Sequence, residues 1–249
     1  MNNSDTALHP DEVQRLDDIA ATTQYGQGVN GVMVEYSVEI FRRWYRGGDV
    51  LEIGPADGVS SHLLNNFVDS LTLLEGSENY AAALRTALPT STVEAMLIEE
   101  YNPSRQFDAI VLSHVLEHVE DAGAALARIK QWLRPGGFLF AATPNALSFH
   151  RQVGVIAGDL DDEHELNAAD RSIGHRRVFD GSSLRALFTA AALEVHYFGG
   201  YFLKSLSNSQ LAAVSDLPHL RALMRAGERV PENAADIYVI ATLPDDARR

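Results

Sequence analysis

Two hydrophobic rhythms alternate along the middle of the chain. Nearly continuous apolar runs at 49–53, 70–74, 93–98, 107–112 and 138–142 are separated by segments at 60–67, 78–88 and 122–133 with apolar residues at helical spacing. The run Phe107-Asp-Ala-Ile-Val-Leu112 leaves almost no polar alternate positions, as a strand buried on both faces does. Strands and helices in this order predict an α/β fold with a parallel, doubly wound sheet and right-handed crossovers. Ser77 is placed to cap the helix after the second strand, and Arg134-Pro-Gly-Gly137 to end the helix before the fifth.

The flanks read differently. Residues 1–21 are polar and acidic, with a short helical pattern through Val13, Leu16 and Ile19, and predict a loosely held arm. Residues 22–31 read as a loop carrying Tyr25, and 32–45 as a helix through Val34, Val38, Phe41 and Tyr45 that stops at Gly47-Gly48. Residues 1–46 are therefore expected to cover the binding site, and 47–249 to form the main domain. Within it, 145–179 is rich in His, Arg, Asp and Glu and lacks strand periodicity; it reads as an insertion after the fifth strand. A helix at 182–192 and strands at 194–201 and 236–243 follow.

Composition narrows the function classes. The 249 residues suffice for one α/β domain. No cysteine is present, which excludes disulfides, thiolate zinc sites and a cysteine nucleophile. A net charge of −14 disfavours nucleic acid as a partner, because phosphate binders cluster Lys and Arg. No apolar run has the roughly 20 residues a membrane helix needs, and the polar start is not a signal peptide, so no membrane partner and a cytoplasmic location are expected. A small-molecule partner is expected; the oligomeric state is left open.

The chemistry concentrates in Val50-Leu-Glu-Ile-Gly-Pro-Ala-Asp-Gly58, a strand running into a turn of small residues and then a helix. Such turns let backbone approach a ligand, and helix-start N–H groups favour electron-rich groups. Glu75 ends the second strand 23 positions after Glu52, where an acid can accept hydrogen bonds from a ribose diol. A nicotinamide or flavin fingerprint needs glycine at the first, third and sixth positions; Gly54, Ala56 and Val59 stand there, so two fail.

The Glu52-x-Gly54-x-x-x-Gly58 arrangement instead resembles motif I of the class I methyltransferases that use S-adenosylmethionine (SAM), with Ala56 where many members carry Gly. Leu71-Thr-Leu-Leu-Glu75 is similar to the family's ribose-binding strand. Ser113-His-Val-Leu-Glu-His-Val119 resembles its turn near the reactive methyl, and Leu133-Arg-Pro-Gly-Gly137 its turn into the fifth strand. The resemblance covers about 49–243 and implies a Rossmann-like sheet of seven strands, mostly parallel with the last antiparallel. It also implies SAM as cofactor and S-adenosylhomocysteine as product.

Carried over, the family pattern places Gly54, Pro55, Ala56 and Gly58 along the methionine part of SAM. Glu52 supports them, Glu75 with Gly76 and Ser77 lies at the ribose, Ile98 and Glu99 border the adenine, and Ser113 and His114 stand beside the sulfonium; Tyr25 is expected to complete the pocket. The family's usual Asp-Ala after the third strand is absent here. The insertion is expected to set acceptor specificity as a lid. His150, Arg151, His175 and Arg176, with Tyr201, are the expected acceptor contacts, unless the arginines pair with local acids. The candidate bases are His114, His150 and His175; His118 reads as a packing or capping residue. The acids at 161–165 are contiguous and cannot converge on one ion, so no metal is expected. The expected function is methylation of a small polar acceptor, at oxygen by preference; the competing readings are a non-catalytic SAM binder and nitrogen or carbon transfer.

Overall fold

The computed structural model describes residues 8–22 and 26–244. Two helices, α1 (Leu8–Thr22) and α2 (Gly28–Trp44), precede the sheet. Strict alternation follows, through β1 (Asp49–Ile53), α3 (Val59–Leu64), β2 (Ser70–Glu75), α4 (Glu78–Ala87), β3 (Thr92–Ala95), β4 (Phe107–Ser113), α5 (Ala122–Ile129) and β5 (Leu133–Pro144). The insertion supplies α6 (Phe149–Ala157) and α7 (Ala168–Ser172). The chain continues through α8 (Gly181–Ala190), β6 (Glu194–Tyr201), α9 (Asn208–Val214), α10 (Leu217–Gly227) and β7 (Asp236–Thr242).

The strands form one seven-stranded sheet in the order β3-β2-β1-β4-β5-β7-β6. The first five run parallel; β7 lies antiparallel between β5 and β6. Successive strand residues feed opposite faces. Leu51, Ile110, Leu139 and Val239 pack with Leu126, Leu184 and Phe188 on one side. Val50, Val111, Phe140 and Ile240 pack with Ile40, Phe41 and Met224 on the other. Both faces being apolar explains why the strands read as continuous runs. From β1 the chain proceeds outward to β2 and β3, then returns to β4 on the other side of β1. That reversal opens the crevice in which open α/β sheets hold ligands.

Three departures from the sequence pattern have local causes. Residues 8–22 form a docked helix where the pattern predicts a loose arm. Asp17 accepts a hydrogen bond from the Ser77 hydroxyl, and Arg15 donates to the Gly174 carbonyl at 3.3 Å. The helix α5 stops at Ile129 and one 3₁₀ turn carries on to Trp132, whose ring meets Tyr101 edge-on at 5.0 Å. Arg134 to Gly137 then belong to β5 as a bulge, since Leu133 pairs with Phe107 but Phe138 with Ala109. The bulge is pinned by the Arg134–Asp108 ion pair. Finally, β3 ends at Ala95, and the chain turns away at Met96 to line the crevice. No helix among the described residues is long and apolar enough to cross a membrane.

Candidate active site

The turn after β1 depends on left-handed backbone. Gly54, Ala56 and Gly58 have φ of +66°, +50° and +79°. A Cβ on Gly54 would come within 2.8 Å of Val115 Cγ2, and one on Gly58 within 2.6 Å of Leu84 Cδ2, so glycine is required twice over. Beneath the turn, buried Glu52 accepts hydrogen bonds from the Ser60 and Ser61 hydroxyls, bracing α3 against β1. Burial pushes its carboxyl up to about 7, against the opposing effect of the two serines. Glu52 and Gly58 thus support the turn from behind, whereas Gly54, Pro55 and Ala56 form cavity wall.

Glu75 joins the turn to the end of β2. Its Oε2 accepts the Ala56 N–H at 3.0 Å and its Oε1 the Ser77 N–H at 2.8 Å. Burial raises its pKa, while the N–H groups of Ser77, Ala56 and Gly76 pull it down. Glu75, Gly76 and Ser77, together with Ile98, Glu99, Ser113 and His114, line the same cavity of about 820 Å³. Its roof is Arg15, Leu16 and Ile19 of α1, with Val34 and Ser37 of α2. A Cβ on Gly76 would stand 2.6 Å from Leu16 Cδ1, so the glycine lets α1 close down. Tyr25 lies outside the described residues.

At the end of β4, His114 adopts φ +57°, uncommon for a residue with a side chain. Its Nδ1 is 3.3 Å from Glu117 Oε1 and its Nε2 3.8 Å from Asp236 Oδ1. Burial lowers its proton affinity, but the two carboxylates outweigh this and raise the pKa to about 9. Ser113 Oγ lies 3.3 Å from Ser37 Oγ, tying β4 to the roof helix α2. His118 also lines the cavity and meets the His175 ring edge-on at 4.7 Å.

The insertion docks behind this wall. The Arg176 N–H donates to the Glu117 carbonyl at 2.8 Å, and its guanidinium reaches the His118 carbonyl at 2.8 Å and Glu12 of α1 at 2.9 Å. Arg177 donates to the carbonyls of Leu116, Val119 and Glu120. The adjacent arginines therefore clamp the turn after β4, and of the two only Arg176 reaches the cavity. Arg151 is buried and spent on the carbonyls of Glu163 and Glu165 and on Asp170.

His150, His175 and Tyr201 stand outside the cavity wall. Burial, with Lys204 and Arg151 nearby, pulls His150 down to about 3. Tyr201 is fully buried between Tyr36 and Tyr238, at ring distances of 6.0 and 6.3 Å. The fold thus gathers Gly54, Pro55, Ala56, Glu75, Gly76, Ser77, Ile98, Glu99, Ser113 and His114 around one cavity, leaves Glu52 and Gly58 beneath the turn, and sets His150, Arg151, His175 and Tyr201 behind it. Sequence reasoning expected residues 1–46 to cover the site but did not single out Leu16, Ile19 and Ser37 as cavity-lining, and it missed the carboxylates of Glu117 and Asp236. Glu117 was within sight, in the Leu-Glu-His-Val segment; nothing at Asp236 distinguished it from any strand start.

Comparison with known proteins decides the family. Residues 35–197 match a methyltransferase domain. The chain belongs to this methyltransferase family. Over 104 residues, 41% of the chain and 40% of the relative, it is 30% identical to a probable S-adenosylmethionine-dependent methyltransferase of Mycolicibacterium smegmatis. Over 125 residues, 49% of the chain and 50% of the relative, it is 30% identical to a ubiquinone biosynthesis O-methyltransferase of Paramagnetospirillum magneticum. The chain thus spans half or less of these curated relatives' length. Among solved structures, the N-methyltransferase NodS of Bradyrhizobium japonicum in complex with S-adenosylhomocysteine shares the fold. Its TM-score is 0.64 at 15% identity, with 94% of this methyltransferase chain and 98% of NodS covered.

Proposed function

We propose that the protein binds SAM in the cavity at the β1/β4 switch point and transfers its methyl group to a small polar acceptor, at a hydroxyl oxygen by preference. One observation carries this reading: a left-handed turn and the buried strand-end carboxylate that accepts its Ala56 N–H together line one roofed cavity. The residues fit the cofactor. A Cβ at Gly54 would strike Val115, so the turn keeps its small profile, and Glu75 keeps acceptor capacity beyond its two N–H partners, since a carboxylate has about four lone-pair sites.

Bound SAM supplies an electrophilic methyl on a positively charged sulfur. The chain aligns the reactants and excludes water. Gly54, Pro55 and Ala56 line the methionine part, Glu75 holds the ribose hydroxyls, and Ile98 and Glu99 border the adenine. The α1 and α2 roof narrows the access of bulk solvent, which strengthens the electrostatics inside. Ser113 and His114 would stand beside the sulfonium, and the acceptor hydroxyl would dock against His114, whose ring is set by Glu117 and Asp236 and takes up the hydroxyl proton when it is itself unprotonated. The preference for oxygen follows the ubiquinone biosynthesis O-methyltransferase relatives.

Incubation with methyl-labelled SAM and a small-metabolite extract tests the proposal. Label is expected in small molecules, and His114→Ala is expected to suppress the transfer while SAM still binds. Binding of SAM without any transfer of label would leave a non-catalytic binder as the reading.

A further inference from the structure

The turn after β4 and the end of the insertion meet behind the cavity wall. Glu117, His118 and His175 come from distant segments, yet one potential ligand atom of each lies within 4.8 Å of the others. Glu117 is fully buried, and neither of its oxygens accepts an aligned hydrogen bond among the described residues. A buried carboxylate is costly unless positive charge surrounds it; His114 supplies one such charge at 3.3 Å, and the His118 and His175 rings converge on it as well. His114 approaches it from the strand side at 3.3 Å, and His175 Nε2 from the insertion at 4.0 Å.

The supporting groups have the arrangement a metal-binding imidazole uses. The other ring nitrogen of His175, Nδ1, lies 3.5 Å from Asp170 Oδ1 without an aligned hydrogen bond, so a carboxylate stands on the side of the ring away from Glu117. Asp170 is itself fixed by Arg151 at 3.1 Å and by the Asn167 N–H at 3.0 Å. The two segments are locked together by the Arg176 N–H on the Glu117 carbonyl and by Arg177 on three carbonyls of the turn.

We propose that Glu117, His118 and His175 hold one divalent first-row cation of the zinc or manganese class. Two imidazoles and one carboxylate, with no thiolate in the chain, suit these ions. None of the acids at 161–165 takes part, so this site differs from the acidic run weighed in the sequence. His118 lines the cavity, so an ion held there borders the space next to His114. An effect on the acceptor rests on the methyl-transfer reading; ion binding does not.

Tag-free, chelator-treated full chain is titrated with Co²⁺, followed by visible absorption, and with Zn²⁺ by calorimetry. Uptake of about one ion per chain is expected, weakened at least about tenfold by Glu117→Gln and His175→Ala, and about tenfold by Asp170→Asn, which acts only through the His175 ring beside it. Circular dichroism checks each variant; should His175→Ala fail to fold, Glu117→Gln and Asp170→Asn carry the comparison. Absence of uptake by the wild-type chain, or equal affinity in every folded variant, overturns the site. SAM binding by the wild type and by Asp170→Asn, which lies outside the cavity wall, is expected to be the same with and without the ion, and absence of SAM binding by the wild type would count against the methyl-transfer reading alone.

Discussion

Glu75 Oε2 accepts the Ala56 N–H at 3.0 Å, so the end of the second strand holds the turn that follows the first. The other oxygen takes the Ser77 N–H at 2.8 Å, fixing the start of α4 with the same side chain. Glu75→Gln keeps one acceptor but turns an NH₂ donor against the other N–H. A buried unsatisfied donor costs about 1–3 kcal/mol, and denaturation of the ligand-free protein is expected to show a loss of that size. An unchanged midpoint would mean that the turn does not depend on this carboxylate.

Glu52 makes stability depend on pH. Its folded pKa is raised from 4.5 to about 7. Its contribution is therefore fully present below about pH 4.5 and is lost as pH rises through 7, because the charged form is buried with only Ser60 and Ser61 as donors and Glu75 nearby. The shift corresponds to about 3 kcal/mol. Glu52→Gln removes the titration, so the stability of the variant relative to wild type is expected to rise by up to about that amount between pH 5 and pH 8. Urea unfolding at both pH values checks this; a constant difference would contradict it.

Gly58 and Gly136 separate crowding from backbone strain. Both have positive φ, +79° and +85°, but a Cβ meets Leu84 at 2.6 Å only at Gly58 and nothing within 4 Å at Gly136. Left-handed backbone costs about 1–2 kcal/mol, and overpacking adds about 1–3 kcal/mol. Thermal unfolding is expected to show Gly58→Ala clearly more destabilised than Gly136→Ala. Equal losses would show that Leu84 yields freely.

The roof is held by polar contacts of modest strength. Arg176 joins Glu12 of α1 to the His118 carbonyl, and Arg15 reaches the Gly174 carbonyl. Partly exposed ion pairs contribute about 0.2–1 kcal/mol. Arg176→Ala is expected to loosen α1 and speed SAM release a few-fold in stopped-flow measurements. A change in acceptor KM alone, with SAM release unaltered, would place Arg176 on the acceptor instead of the roof.

What could be read from the chain follows from how local each determinant is. Phe107–Ser113 was legible because burial on both faces writes itself into consecutive residues. So was the Ser77 cap, which accepts the Tyr80 N–H at 3.3 Å. The turn at 54–58 was legible because left-handed backbone and close packing restrict side chains there. What motif spacing did not reveal is that Gly58, expected along the cofactor, stands with Glu52 behind the turn and does not face the cavity. Which residues of 1–46 line the roof was hidden because Leu16 and Ile19 form a thin apolar stripe whose partners lie far along the chain. The bulge at Arg134 depends on Asp108, a partner 26 residues away. The Glu117–His118–His175 cluster was hidden for the same reason, since only the folded insertion brings the third member near.

Titration calorimetry with SAM on the wild-type chain and on Glu75→Ala is the most direct measurement of whether the strand-end carboxylate and the left-handed turn form the cofactor site. Saturable binding by the wild type is expected, weakened at least about tenfold in the variant, about 1.4 kcal/mol at 25 °C. Equal affinity in the two proteins, or no binding by either, would contradict it.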